Sequence, residues 1–369
     1  MTAPYLTYKA FEQDDIVQAD PAEVTTGLWS GDIGSLEYFY TSSAQISSST
    51  GDYFVDVYDH DPEALDEHVR DNAELQFSIA YGHIDGGGYP DLADEDTSVL
   101  ATKATYAQYR NILLDAPAGK FTFAGTGTGS TEYASDHIYV VNIKRARLRE
   151  KLDPGNWYMP LSGSGSSSHL GGRITLIDDS GQGKGSDHGK AGRVFNIVSG
   201  TLDGPDGYTY ASASQQPTNG NYGLVYPDLG IMIFNPDALT YAIGDGLKPD
   251  TQSLANTYPR NYLKFYEAMK HGYDSSSADF QARSAETISS THYFIRLRNK
   301  EFNYSNNPTF FDPTTGAIAE TDFRMNPVVY LTSIGLYNAS NECVAIGKVS
   351  SPLPKSFAKE ILIRVRLDW

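Results

Sequence analysis

The chain has almost no cysteine: Cys343 is the only one in 369 residues. An intrachain disulfide is therefore impossible, and so is a zinc site built from several cysteines. That economy fits assembly in a reducing compartment. Long hydrophobic runs are also missing. No stretch of about 18 apolar residues occurs, so no membrane-spanning helix is expected. The opening residues, MTAPYLTYKAFEQDD, lack the basic start and apolar centre of a secretory signal. Basic residues are scarce in the first hundred positions, where Lys9 and Arg70 stand against 21 acidic residues. The whole chain carries a net charge of −18, so this first quarter holds the entire excess. Such a surface repels phosphate and anionic lipid, which argues against nucleic-acid and membrane partners. It suits a basic protein partner, cations, or simply a solvated face.

Apolar and aromatic residues, in contrast, are sufficient for a large core: 40% are hydrophobic and 26 are tyrosine. Short aromatic and β-branched runs recur from end to end, each closed by turn residues. They include DYFVDVY at 52–58, ELQFSIAY at 74–81, IYVVNIK at 138–144, RVFNIVS at 193–199 and GIMIFN at 230–235. Further runs follow at 292–298, 328–337, 343–349 and 360–367, with SSPLPKSF separating the last two. Helical patterns are few. In 102–115, Tyr106, Tyr109 and Leu113 share a face; in 261–271, Leu263, Tyr266 and Met269 do. Residues 61–71, with Pro62 at a first-turn position, predict a third. The segment 144–151 fits a strand end or a short helix. Gly/Ser-rich stretches at 125–130, 162–168 and 179–189 read as loops. The fold expected is mostly β, with antiparallel β-sandwich-type domains, two or three short helices and long Gly/Ser loops. Three segments are expected: an acidic β-rich domain over 1–150, a middle β domain or insertion over 151–285, and an antiparallel β domain over 286–369.

Reactive-residue patterns were weighed against simpler readings. Asp59, His60, Asp61 and His68 are ligand types, but their spacing matches no metal motif. The loop HIDGGGYPDLADED at 83–96 fails the calcium-loop pattern, which needs oxygen ligands at alternate positions. Reading from Asp85 the third position is Gly87, and from Asp91 it is Ala93. Ser186, Asp187 and His188, with His169 nearby, invite a hydrolase reading, yet a triad is a matter of geometry and no G-x-S-x-G elbow occurs. Lys184 in GQGKG is followed by glycine, which a phosphate loop does not allow. Carboxylates are so dense in the first quarter that no pair stands out as a glycosidase pair. No catalytic, cofactor-binding or metal residue is assigned, no cofactor is expected, and the chain is read as not an enzyme. What remains is a set of basic residues suited to protein contacts: Lys144, Arg145, Arg147 and Arg149, close to Lys151; Arg296 and Arg298, which share a face with Phe294; and Arg364 and Arg366, which alternate with Ile363, Val365 and Leu367.

Residues 326–338, NPVVYLTSIGLYN, then 342–348, ECVAIGK, then LIRVRLDW at 362–369, resemble a pattern common in tail and baseplate-associated proteins. Those are virion structural proteins of T4-like contractile-tailed phages, marine and cyanobacterial ones above all. NIKRARLREKLDPGN at 142–156, YGLVYPDLGIMIFNPD at 222–237 and residues 291–312 are similar to the same group. About half the chain is covered, and the acidic first quarter is not. The resemblance implies a particle component without enzymatic activity: a baseplate or tail-associated subunit joining neighbouring tail proteins, in multiple copies of a symmetric assembly. It implies a virion location after synthesis in the bacterial host cytoplasm, and other phage virion proteins of tail, baseplate or neck as partners. The alternatives are a neck, collar or fibre-attachment protein, and a host-glycan-binding or glycan-cleaving module, which the presence of only three tryptophans disfavours. In local terms, 328–349 reads as two strands turning through NASN at 338–341, with the C-terminal strand closing their sheet.

Overall fold

The computed structural model describes residues 8–47, 54–88, 100–125, 132–163, 172–182, 187–202, 209–211, 217, 219–250, 260–272, 277–305, 309–312 and 314–369. Most of the Gly/Ser-rich loop residues lie outside these, as do His169, Ser186 and residues 89–96. The chain forms two compact units, Val24–Glu286, and Met1–Glu23 with Thr287–Trp369. This differs from the three expected segments. Strands from both sides of residue 150 pair in one sheet, so no boundary falls there.

The larger unit is built on a ten-stranded sheet, mostly β and antiparallel as the sequence suggested. Its order is Met159–Ser162, Arg173–Asp178, Gly192–Thr201, Gly223–Tyr226, Ile231–Phe234, His137–Ile143, Leu75–His83, Phe54–Tyr58. Asp187–Gly189 and Thr209–Tyr210 pair off this path with Gly192–Thr201. Period-two alternation divides each central strand between two cores. Tyr139, Val141, Ile143, Met232 and Phe234 face one core. Ile138, Val140, Ile231 and Ile233 face the other. Burial on both faces is why these strands read as continuous apolar runs.

Helices cover both faces. Ala101–Leu113 buries Tyr106, Tyr109 and Leu113 in the second core, as its spacing predicts. Gly82 admits its close approach, since a Cβ there would meet the Tyr106 backbone nitrogen at 2.8 Å. Asn261–Lys270 buries Phe265, Tyr266 and Met269 in the first core. A helix at Pro236–Ile243 was not foreseen; Asn235 caps it by accepting from the Asp237 and Ala238 amides. The helix expected over 61–71 is confined to Glu67–Asp71, because Asp66 caps it through the His68 amide and the preceding residues form turns. At 144–151 the undecided segment is a short 3-10 turn over Arg145–Arg147, leading to a strand at Lys151–Leu152.

One buried polar joint ties a turn to the ten-stranded sheet. Asp178 ends the strand Arg173–Asp178 at 1% exposure. Its carboxylate accepts from the Gly155 amide at 2.8 Å, Trp157 Nε1 at 2.6 Å and the Ser180 amide at 3.0 Å, and also from the Ser180 hydroxyl.

The smaller unit contains a three-stranded antiparallel sheet, Ile16–Gln18, Ser290–Leu297, Ile361–Asp368. Beside it is a long hairpin of Val328–Tyr337 and Cys343–Ser356. The hairpin turns at NASN as read from the sequence: Asn338 Oδ1 accepts from the Ser340 and Glu342 amides, and Asn341 takes φ 61. Two local expectations are corrected. SSPLPKSF does not separate strands, for the second hairpin strand runs through to Ser356. Pro352 and Pro354 are two apart, so both lack an N–H on the same edge of a two-stranded ribbon, where proline is tolerated. The C-terminal strand does not close the hairpin sheet. It pairs along its whole length with Ser290–Leu297, from Ser290↔Asp368 to Leu297↔Ile361.

Candidate interaction surface

The basic residues singled out from sequence fall into two groups. Lys144, Arg145, Arg147 and Arg149 lie together in the larger unit. Three of the four are engaged within their own unit. Arg145 donates to the Glu150 and Asp228 carbonyls at 2.9 and 3.3 Å. Arg147 pairs with Glu74 and donates to Ser30 Oγ at 2.9 Å. Arg149 pairs with Glu286 at 3.0 Å and Asp32 at 3.9 Å. The Ser30 hydroxyl, and Arg147 with it, hold the Glu74 carboxyl below its ordinary range. The cluster thus meets the acidic first quarter of its own chain.

The second group belongs to the smaller unit. Facing positions in an antiparallel pair share a sheet face. Arg296 stands opposite Leu362, Phe294 opposite Arg364, and His292 opposite Arg366. Arg296, Leu362, Arg364 and Arg366 are all exposed on that face, and Arg298 is exposed just past the strand end. The other face carries Tyr293, Ile295, Leu297, Ile361, Ile363 and Val365, mostly half-buried. A cleft of about 810 Å³ opens there, lined by Phe11, Ile295, Leu297 and Ile363 and, from the hairpin, Leu331 and Ile334. Lys355 is the buried polar anchor of the hairpin. Its ammonium donates to the Asn299 and Ser356 carbonyls, both at 3.0 Å, and to Asn303 Oδ1 at 2.8 Å. Burial pulls its pKa below the usual lysine value.

The two units differ sharply in how much apolar side chain they bury. Neither hydrophobic core contains a residue of the smaller unit. Among the described residues, its buried apolar side chains are Leu297, Val329 and Leu336. Against these stand exposed Tyr330, Tyr337, Val344, Ile346, Phe357 and Leu362, with Leu362 at 64% and Ile346 at 70% exposure. The smaller unit thus exposes more large apolar side chains than it buries among the described residues.

A half-buried titratable cluster was not legible in the sequence. His83 and His137 stand opposite each other on adjacent strands, their rings 6.0 Å apart. Asp237 accepts from Tyr133 Oη at 2.8 Å and from His137 Nε2 at 3.2 Å. Burial alone would raise the Asp237 carboxyl, but His137 and Tyr133 more than offset it and hold it low. The same burial, with Asp237 beside it, pushes Tyr133 up to about 12. Among the described residues, Tyr81 Oη and His137 Nδ1 find no hydrogen-bond partner. Burial first, and His137 second, lower the pKa of His83 from 6.5. A histidine held neutral in the fold contributes fully above its unfolded pKa, and that contribution is lost as pH falls below it. Melting temperature is therefore expected to fall as pH drops from 6.5, and His83→Gln is expected to flatten that part of the profile. Thermal melts at a series of pH values check this; identical slopes in both proteins would contradict it.

The acidic-region ligand types make local contacts. Asp59 accepts from the Glu74 amide at 2.8 Å and faces His60 at 3.2 Å, and Asp61 accepts from the Glu63 amide. Among the described residues, no group of three or more His, Cys, Asp or Glu is placed to hold a metal. Among them also, no helix is long and apolar enough to cross a membrane. Comparison with protein-family models, curated proteins and solved structures gave no match.

Proposed function

We propose that the chain is a structural protein of a virus particle, without catalytic activity, and that its smaller unit is its means of attachment. More particularly, it is a tail or baseplate-associated subunit of a contractile-tailed phage that joins neighbouring tail proteins. The carrying observation is the poverty of core in the smaller unit beside its exposed tyrosine, isoleucine and leucine side chains. Such side chains lower their free energy by about 25 cal/mol per Å² once a neighbour covers them. The segments that resemble phage tail proteins, 326–348 and 362–369, are the strands that display them. The larger unit supplies a rigid, fully packed body.

Cryo-EM of the intact virion tests this. Density for this chain around the tail end, with the hairpin against a neighbour, is the expected result. Copies at the head–tail junction or along a fibre would favour the neck, collar or fibre-attachment reading. No ordered copies anywhere in the particle would end the structural reading. A companion variant, Tyr330→Ser with Ile346→Ser, is expected to change folding stability by no more than about 0.5 kcal/mol per site. Its incorporation into particles is expected to fall about tenfold, since buried interface anchors dominate affinity.

A glycan-binding reading has one observation in its favour. A cleft of about 670 Å³ in the larger unit includes Arg173, Arg260, Lys264, Glu267 and His271 in its lining. Glu267 is its single carboxylate, so the pair needed for glycoside cleavage is missing among the described lining residues. A glycan array with the purified chain distinguishes this reading from the first.

A further inference from the structure

We propose that copies of this chain join edge to edge through the three-stranded sheet of the smaller unit. The Ile16–Gln18 edge of one copy seats against the Ile361–Asp368 edge of the next. The inference rests on the assembly reading above and names the partner as a second copy.

Both outer strands of this sheet lack a ladder partner on their outer side among the described residues. Unpaired N–H and C=O groups along an edge are a template for another strand. The two edges also differ in charge. Around Ile16–Gln18 the exposed ionisable residues are Glu12, Asp14, Asp20 and Glu23. The nearest lysine or arginine in the sequence, Lys9, is paired with Glu301 at 3.2 Å. On the opposite edge the exposed centre of the strand is Leu362, Arg364 and Arg366. Carboxylates flank it: Glu360 lies 3.7 Å from Arg296, and Asp368 2.6 Å from Arg366. Arg364, in the middle, pairs with no carboxylate among the described residues. Each edge also exposes apolar side chains, Ile16 and Val17 on one and Leu362 and Trp369 on the other.

These charges select among the possible pairings. If two Ile361–Asp368 strands met antiparallel with faces matched, the longest overlaps would set Arg364 against Arg364 or Arg366, and like charges directly opposite destabilise a strand pair. Two Ile16–Gln18 edges would bring carboxylates together. Only the unlike edges are complementary. Both edge strands run antiparallel to Ser290–Leu297, so they are parallel to each other. A copy added in the same sense extends the sheet by a parallel pair. Each addition leaves one edge of each kind free for the next copy. Such a head-to-tail contact closes into a ring when its rotation allows.

Sedimentation velocity on the full chain tests the proposal across protein concentration, at low and high salt. The wild-type chain is expected to self-associate, less so at high salt. Arg364→Glu is expected to weaken association about tenfold, and so is Asp14→Arg with Asp20→Arg, because each sets like charges across the contact. All three positions are exposed, and circular dichroism confirms that each variant is folded. The two variants mixed are expected to recover association, since each copy then offers its neighbour an opposite edge. A wild-type chain that stays monomeric at every concentration overturns the proposal, and the arginines are then guards that keep the edge unpaired. Variants that associate like wild type overturn it too, as does a mixture no stronger than its parts. A monomer that is nevertheless found in virions would sink this inference alone; an oligomer absent from virions would sink the assembly reading alone.

Discussion

Replacing Phe265 by alanine is expected to lower the stability of the larger unit by about 3–5 kcal/mol, the range for aromatic truncation in a packed core. Phe265 is fully buried. Its ring stacks on Tyr139 with centroids 5.1 Å apart and lies 4.9 Å from Phe234. Tyr139 and Phe234 are cross-strand neighbours at the centre of the ten-stranded sheet. Phe265 therefore packs the helix Asn261–Lys270 against two central strands of the first core. Tyr139 cannot swing into the vacated space, because its hydroxyl donates to the Leu247 carbonyl at 2.9 Å. Phe265→Leu keeps most of the volume and is expected to lose only about 1–1.5 kcal/mol. Urea denaturation of the three proteins measures the differences. A loss under about 1 kcal/mol for the alanine variant would mean that the helix does not pack on the sheet in this way.

Asp178→Ala is the second large expectation, a loss of about 3 kcal/mol, since buried donors left without an acceptor each cost about 1–3 kcal/mol. Four donors converge on this carboxylate, from Gly155, Trp157 and both the amide and the hydroxyl of Ser180. It pins the 153–157 turn to the end of the strand Arg173–Asp178. Burial raises its pKa from 3.8, the four hydrogen bonds offsetting only part of that effect. The sign follows: a carboxyl that keeps its proton longer in the fold is most favourable below its unfolded pKa. That advantage fades as pH rises through the raised value, so in neutral solution the donors compensate for a buried charge. Asp178→Asn keeps one acceptor and points an amide N–H₂ at remaining donors, so it is expected to fall between wild type and alanine. Equilibrium unfolding near neutral pH ranks the three; an alanine variant as stable as wild type would show the joint to be dispensable.

Much of the fold was legible because burial leaves a local trace. IYVVNIK and GIMIFN declare strands covered on both faces. Tyr106, Tyr109 and Leu113 declare a helix with one buried side. NASN declares a turn, since Asn341 adopts a positive φ that asparagine tolerates. The helix Pro236–Ile243 also had a local trace in Asn235, Pro236 and Asp237, a cap, a first-turn proline and an acidic first turn. Its signal was masked by the apolar strand directly before it.

Partner choice left no such trace. Nothing in the alternation of 361–368 says whether the strand pairs with the hairpin or with Ser290–Leu297, because both offer an apolar face. The cluster of His83, His137 and Asp237 is assembled from two strands and a helix start far apart in sequence, so no spacing rule reaches it. The arginines at 145, 147 and 149 were recognisable as a basic run. That Glu74, Asp32 and Glu286 neutralise two of them depends on tertiary placement alone. The candidate surface of the smaller unit was half legible: the alternation of Arg364 and Arg366 with apolar residues showed two faces, but not how thin the core behind them would be.

The smaller unit is assembled from both ends of the chain, with the larger unit as an uninterrupted segment between them. During synthesis, Ile16–Gln18 is made before its partner strand Ser290–Leu297 and waits for it. Closing so long a loop is entropically unfavourable until the intervening segment has folded and drawn its ends together. The larger unit is thus free to fold before Ser290–Leu297 is made, while the three-stranded sheet cannot be complete until Ile361–Asp368 follows. A chain cut short before Ser290 would carry the packed body without the three-stranded sheet.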